Sequence, residues 1–149
     1  MTRGCLALAL LGSIVPLQAQ EPAASDLEFL DNGVLRVGLS RQHGGSIAYL
    51  SRSGEDDNLI NVHDLGRYVQ QSYYSGPKPF LPKGAKMHAG WPDWGWNPIQ
   101  AGDAFDHPPR LLSLQREGDM LRARCVPMQW ALDGVAGECV FEKIGRAHV

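Results

Sequence analysis

LEFLDNGVLRVGLSRQHGGSIAYL, residues 27–50, is the stretch that decides the fold. Asn32-Gly33 lies between two short apolar runs, and a tight hairpin turn needs residues that tolerate positive φ. Residues 27–30 and 34–39 are therefore read as its two strands. Successive strand side chains point to opposite faces, so Leu35, Val37 and Leu39 share one face and Arg36 lies on the other. Gly44-Gly45 breaks the chain, and residues 46–50 resume it as a third strand.

Outward from this meander the same signals continue. Residues 51–58 form a charged loop, and residues 59–62 a short buried strand or entry segment. Residues 67–74 (RYVQQSYY) read as a strand because Tyr and Val favour that state and glycine and proline punctuate both ends. Arg67, Val69, Gln71 and Tyr73 would point one way, and Tyr68, Gln70, Ser72 and Tyr74 the other. Residues 75–110 are rich in proline and glycine and predict a long irregular loop. Their aromatic residues supply burial, and loops of such length inside a domain are usually functional or disordered. Strands are expected again over 110–114, 120–126 and 138–142, with Gly118-Asp119 turning between the first two. The fold class that emerges is all-β: an antiparallel meander, expected to close as a sandwich.

Both ends read as something other than folded domain. Arg3 precedes an apolar run at 5–17 (CLALALLGSIVPL), and Leu17-Gln18-Ala19 offers a small-residue cleavage site before Gln20. Such a run is too short for a permanent anchor and fits a secretory signal peptide over 1–19, with 20–26 as a linker. The protein is thus expected to be secreted or periplasmic, with no membrane attachment after cleavage. At the other end, residues 144–149 (IGRAHV) match the translation of a widely used sequencing-library adapter whose next codon is a stop. Native sequence is accordingly expected to run to Glu142. Residues 27–142 would then be the N-terminal part of a domain whose remaining strands lie downstream, and 143–149 would be foreign.

The chain has 149 residues and a formal charge of −2, and no basic stripe marks it for nucleic acid. All four tryptophans lie in the second half. Export leaves Cys125 and Cys139, which flank a hairpin with Asp133-Gly134 in its connection. A bridge between them would contribute about 3 kcal/mol by loop closure. The alternative is two buried thiols acting as small apolar residues. No dinucleotide, phosphate-loop or nucleophile-elbow motif is present, and no cofactor is expected. His43, His63, His88 and His107 are scattered without metal-ligand spacing, so no metal is expected either. A calcium loop using Asp103 and Asp106 is conceivable but rests on two ordinary loop carboxylates.

Two constellations carry chemistry. In residues 61–67, His63 suits a general acid or base, Asp64 its orienter, and Arg67 a clamp for a substrate carboxylate. The plainer reading is a strand-entry turn in which Asp64 caps backbone N–H groups and pairs with Arg67. Adjacent His and Asp on a strand point apart, which weakens the dyad. In residues 91–103 (WPDWGWNPIQAGD), indole rings suit the apolar faces of sugars, and Asn, Gln and Asp side chains suit their hydroxyls. The same tryptophans could instead plug one end of a sandwich.

The blocks VLRVGL (34–39), GGSIAYL (44–50) and NLIN (58–61) together resemble the opening of galactose-mutarotase-like β-supersandwich proteins. HDLGRYVQQSYYSGP (63–77), WNPIQAGD (96–103) and PMQWAL (127–132) resemble blocks of a secreted, poorly characterised bacterial family. The resemblance covers residues 27–142 and implies a large antiparallel sandwich whose concave face binds carbohydrate. The histidine and glutamate that epimerases use lie later in their chains, so His63 and Arg67 are not their counterparts.

The expectation is an exported protein that binds or processes a mono- or polysaccharide. Arg67, Gln71 and Tyr73 would form a groove floor, and Trp91, Trp94, Trp96, Asn97, Gln100 and Asp103 its wall. As an enzyme it would epimerise a sugar, cleave a glycoside or β-eliminate a uronate, with His63, Asp64 and Arg67 as catalytic candidates. Alternatives are a structural or partner-binding sandwich without activity, and a binding module attached to a downstream enzyme.

Overall fold

The computed structural model describes residues 22–63, 68–73, 83–90 and 97–146. Among them there is no α-helix. Strands β1 (Leu27–Asp31), β2 (Leu35–Ser40) and β3 (Ile47–Arg52) form one antiparallel sheet in the order β1-β2-β3. Strands β4 (Pro98–Ile99) and β7 (Met128–Gln129) form a second, and β5 (Arg110–Glu117), β6 (Met120–Val126) and β8 (Phe141–Arg146) a third in the order β5-β6-β8. The protein is all-β, and every pairing is antiparallel.

The first hairpin forms where Asn32-Gly33 demands it. Gly33 has φ +82°. Asn32 Oδ1 accepts the N–H groups of Val34 and Leu35, and Asp31 Oδ1 that of Gly33. A β-bulge follows between β2 and β3, where Gly38 faces Tyr49 and Leu39 faces Ile47. The bulge leaves Ala48 unpaired, and its methyl enters a cluster with Val62, Tyr68 and Ala101, backed by Leu27 and Ile60. On the sheet's other side Leu30 and Leu39 meet Leu121 of β6, with Ile47 and Leu114 around them. This contact joins the first and third sheets. On the first sheet's outer surface Phe29 and Tyr49 pack edge to face, with the Arg36 guanidinium over Phe29. Arg36 thus sits opposite Leu39, as the alternation requires.

Gly44-Gly45 serves closeness as well as turning. Both residues have positive φ, +64° and +76°. A Cβ on Gly45 would lie 2.3 Å from the Ala123 methyl, and one on Gly44 would lie 2.7 Å from the Gln100 carbonyl. The pair lets two layers of backbone touch where no side chain fits.

Single bridges then extend the first sheet toward the second. Ile47 pairs with Val69, and Ser72 with Ile99. The expected strand over 67–74 is therefore a pair of isolated bridges among the described residues 68–73. Its alternation holds: Tyr68 is buried, and Gln70 accepts the Ala101 N–H, while Gln71 and Tyr73 face β8. No strand forms over 59–62. Asn58 replaces a ladder there, its Oδ1 accepting the Leu50 and Ile60 N–H groups and its Nδ2 donating to the Ala48 carbonyl.

In the third sheet Gly118-Asp119 is a two-residue loop between Glu117 and Met120. Leu121, Ala123 and Cys125 point inward, and Arg122 and Arg124 outward. The last strand lies three residues later than the expected 138–142, because Cys125 is registered against Phe141. That register also corrects the expected disulfide. Cys139 falls two residues from the position opposite Cys125, and both remain free thiols. Burial pushes the Cys125 thiol up to about 11. Beyond Glu142 the in-out alternation continues, but with a charged residue inside and an apolar one outside. Lys143 faces inward opposite Ala123, burial lowering its ammonium to about 8, while Ile144 is exposed. A ladder is made of backbone, so β8 runs on through 143–146, and the Lys143 ammonium also donates to the Val69 carbonyl at 3.2 Å.

Candidate functional site

The site is built around β4, a strand of two residues. Pro98 has no N–H, so β4 cannot extend as an ordinary central strand. It is flanked by the bridge at Ser72 on one side and by β7 on the other, with Pro98 opposite Gln129 and Ile99 opposite Met128. Main-chain bonds complete the frame: Gln100 N–H donates to the Gln71 carbonyl, and Trp130 N–H to that of Asn97. A narrow hairpin follows, in which Gln129 N–H donates to Val135 O and Gly137 N–H to Pro127 O. Gly134 at its tip has φ +69°, as the Asp133-Gly134 signal predicts.

Three amide side chains on or next to this frame have capacity left unspent. Gln71 Oε1, Asn97 Oδ1 and both amide atoms of Gln129 are buried without a hydrogen-bond partner. These are four of the five such atoms among the described residues. An unmet buried polar atom typically costs about 1–3 kcal/mol, so such groups call for a reason. Gln71 does use its other end, donating through Nε2 to the Glu142 carbonyl at 3.1 Å. Tyr73 extends the row, its ring edge-on to Phe141 with centroids 5.9 Å apart, and it is partly open to solvent.

Gln100 and Asp103 have a different place from the expected groove wall. Both are buried to about 1% exposure. Gln100 Oε1 accepts the Gln71 N–H, and its Nε2 donates to the Gly44 carbonyl at 2.7 Å. It pins the glycine pair to the β4 frame. Asp103 is a hub: Oδ1 accepts the N–H groups of Phe105 and His107, and Oδ2 that of Gly134. His107 Nδ1 lies 2.9 Å from Oδ2 as well. With its oxygens committed to N–H donors, Asp103 is a loop anchor. Asp106 is exposed with φ +66°. No group of three or more His, Cys, Asp or Glu among the described residues is arranged to hold a metal.

The hub fixes an imidazole. His107 is half-exposed, its Nδ1 held by Asp103 and 3.6 Å from Asp133 Oδ1. Lys86 pairs with Asp133 at 3.7 Å and lies over the Phe105 ring, which His88 meets edge-on. A carboxylate on Nδ1 sets the tautomer with Nε2 free to exchange a proton. The arrangement is chemically able to do acid–base work.

The remaining candidates divide simply. His63 is exposed, with its backbone N–H donating to Asn61 Oδ1 in a local turn. Asp64, Arg67, Trp91, Trp94 and Trp96 lie outside the described residues. Gln71 and Tyr73 flank the Ser72 bridge to Ile99, and Asn97 immediately precedes Pro98 of β4. The sequence reading missed Gln129 and the Asp103–His107 contact. A lone glutamine inside the apolar run MQWAL, and the i, i+4 spacing of Asp103 and His107, were the available signals.

No family model, no curated protein and no solved structure matches this chain.

Proposed function

We propose that this is an exported carbohydrate-binding β-sandwich protein of the galactose-mutarotase-like kind, secreted or periplasmic, with its binding site along β4. The reading is carried by the unspent amides of Gln71, Asn97 and Gln129. Carboxamides donate and accept with no net charge, which is what vicinal hydroxyls of a neutral sugar require. Tyr73 adds an aromatic face beside them, and the tryptophan-rich stretch 91–96 immediately precedes Asn97 in the chain. A ligand hydroxyl reaching the amides must part the side chains that cover them, so binding and local rearrangement go together.

A glycan array probed with the full chain tests this. Gln129→Leu, Gln71→Ala and Trp96→Ala should each weaken binding to the neutral glycan recognised by the parent, by about tenfold, equivalent to about 1.4 kcal/mol. Unchanged affinity in all three variants overturns the reading. So does tryptophan emission that stays blue-shifted and indifferent to every sugar, which would favour a structural or partner-binding sandwich.

A further inference from the structure

The outward face of the third sheet carries a second, separate set of uncommitted polar groups. Arg122 and Arg124 project from it two residues apart on β6, a separation of roughly 7 Å along a strand. Cross-strand register puts Gln115 opposite Arg122, and both Ser113 and Glu142 opposite Arg124. Together with Leu112 and Val140 these residues line an open groove of about 550 Å³. The β-bulge between Leu111 and Ser113 brings Leu112 onto this face.

Each arginine has a carboxylate at ion-pair distance but no hydrogen bond to it. Arg122 approaches Glu117 only at 3.9 Å, and Arg124 approaches Glu142 only at 3.8 Å. Both separations exceed hydrogen-bond length. Arg122 Nε is buried with no acceptor. The two guanidinia therefore keep their donor forks available for a planar anion.

We propose that this groove binds a uronate-bearing polysaccharide, with Arg122 and Arg124 taking carboxylates, Ser113 and Gln115 the neighbouring hydroxyls, and Leu112 and Val140 the C–H faces of the sugar rings. The ligand class rests on the carbohydrate reading above, but the residues are independent of the β4 site. The neutral and aliphatic part of the lining decides against a nucleic acid or polyphosphate. Glu142 lies within the groove and Glu117 at its edge, and the whole chain is at −2, so a nucleic acid or polyphosphate would meet a weak field. A polyuronate sets one carboxylate per ring among hydroxyls and C–H faces, which fits two arginines interleaved with neutral donors and aliphatic surface.

Affinity electrophoresis of the full chain through gels containing polygalacturonate, alginate, neutral galactan or dextran sulfate provides the test. Retardation by a polyuronate is expected, with the apparent affinity reduced about tenfold or more in Arg122→Gln/Arg124→Gln. Arg122→Lys/Arg124→Lys should also lose most of it, because an ammonium keeps the charge but not the fork. An unchanged urea midpoint for each variant separates binding from folding. No retardation by either polyuronate, equal retardation of the Gln variant, full retention by the Lys variant, or stronger retardation by dextran sulfate than by polyuronates overturns the proposal. Retardation by galactan alone overturns it too while leaving the β4 reading standing. Loss of galactan binding in Gln129→Leu with polyuronate binding intact shows the two sites to be distinct.

Discussion

The first sheet and the β4–β7 frame are held together by different forces. In β1-β2-β3 the turns are local, the ladder is regular apart from one bulge, and leucines make the contact with β6. Around β4 and β7 the strands are two residues long, and buried polar side chains do the joining. Gln100 and Asp103 replace the ladder bonds that so short a pairing lacks. Apolar burial tolerates small shifts in position, whereas a hydrogen-bond hub depends on each partner being in place. A site that must open for a ligand is more naturally built on the second plan.

Steric and polar lesions should therefore behave differently in the two regions. The largest effect is expected at their junction. Gly45→Ala would place a methyl against Ala123 in a left-handed conformation and should cost about 4 kcal/mol, read from the urea midpoint. Gly33→Ala also has positive φ but nothing within 4 Å, so only about 1 kcal/mol should be lost. Comparable losses in the two variants would mean that the sheets do not meet at Gly45.

Next comes the hub. Asp103→Ala leaves the N–H groups of Phe105, His107 and Gly134 without their acceptor, and should cost about 3 kcal/mol. Hydrogen exchange should accelerate first in residues 97–137 and leave β1-β2-β3 protected. Uniform acceleration across the chain would erase the contrast between the regions.

The first sheet also has a polar junction that titrates, and pH exposes it. Ser40 Oγ donates to Asp26 and lies 2.8 Å from His43 Nδ1, with Tyr68 edge-on to the imidazole. Burial holds the His43 pKa below its ordinary 6.5, against a smaller opposing pull from Asp26. The unfolded chain therefore takes up this proton first as pH falls. Stability should decline from about pH 6.5 downward until the folded imidazole also protonates, and be flat with respect to this group above it. His43→Gln should remove that slope in pH-dependent urea denaturation, and an unaltered slope would assign it elsewhere.

The smallest effect is chemical. Cys139 is partly exposed, whereas Cys125 is buried with its thiol raised to about 11. Peptide mapping after brief alkylation at neutral pH should find Cys139 modified and Cys125 intact, with little change in stability. Early modification of Cys125 would show the third sheet to be looser than its register implies.

How much of this could be read in advance follows from the range of each interaction. The β1-β2 and β5-β6 hairpins were readable because Asn32-Gly33 and Gly118-Asp119 act within a few residues. The gap at Gly44-Gly45 was readable, but its partner Ala123 was not. Gln71, Tyr73 and Asn97 carry the signal of polar groups in aromatic surroundings, and the bridge of Ser72 to Ile99 sets their backbone next to β4. Gln100 and Asp103 were chosen by the same criterion and lie in the interior, because composition distinguishes a polar group from an apolar one but not an unspent amide from a committed one. Gln129 was passed over for the converse reason, being hidden in an apolar run.

What the amino-acid sequence determined alone was the all-β class, the positions of its tight turns and the side-chain parity of its longer strands. These depend on backbone preference and a two-residue repeat, which are local. Tertiary structure alone decided which cysteine met which neighbour, where the last strand began, and which amides were left without partners. Those outcomes depend on register and contact between residues far apart in the chain, where one bulge or a short strand changes every pairing that follows.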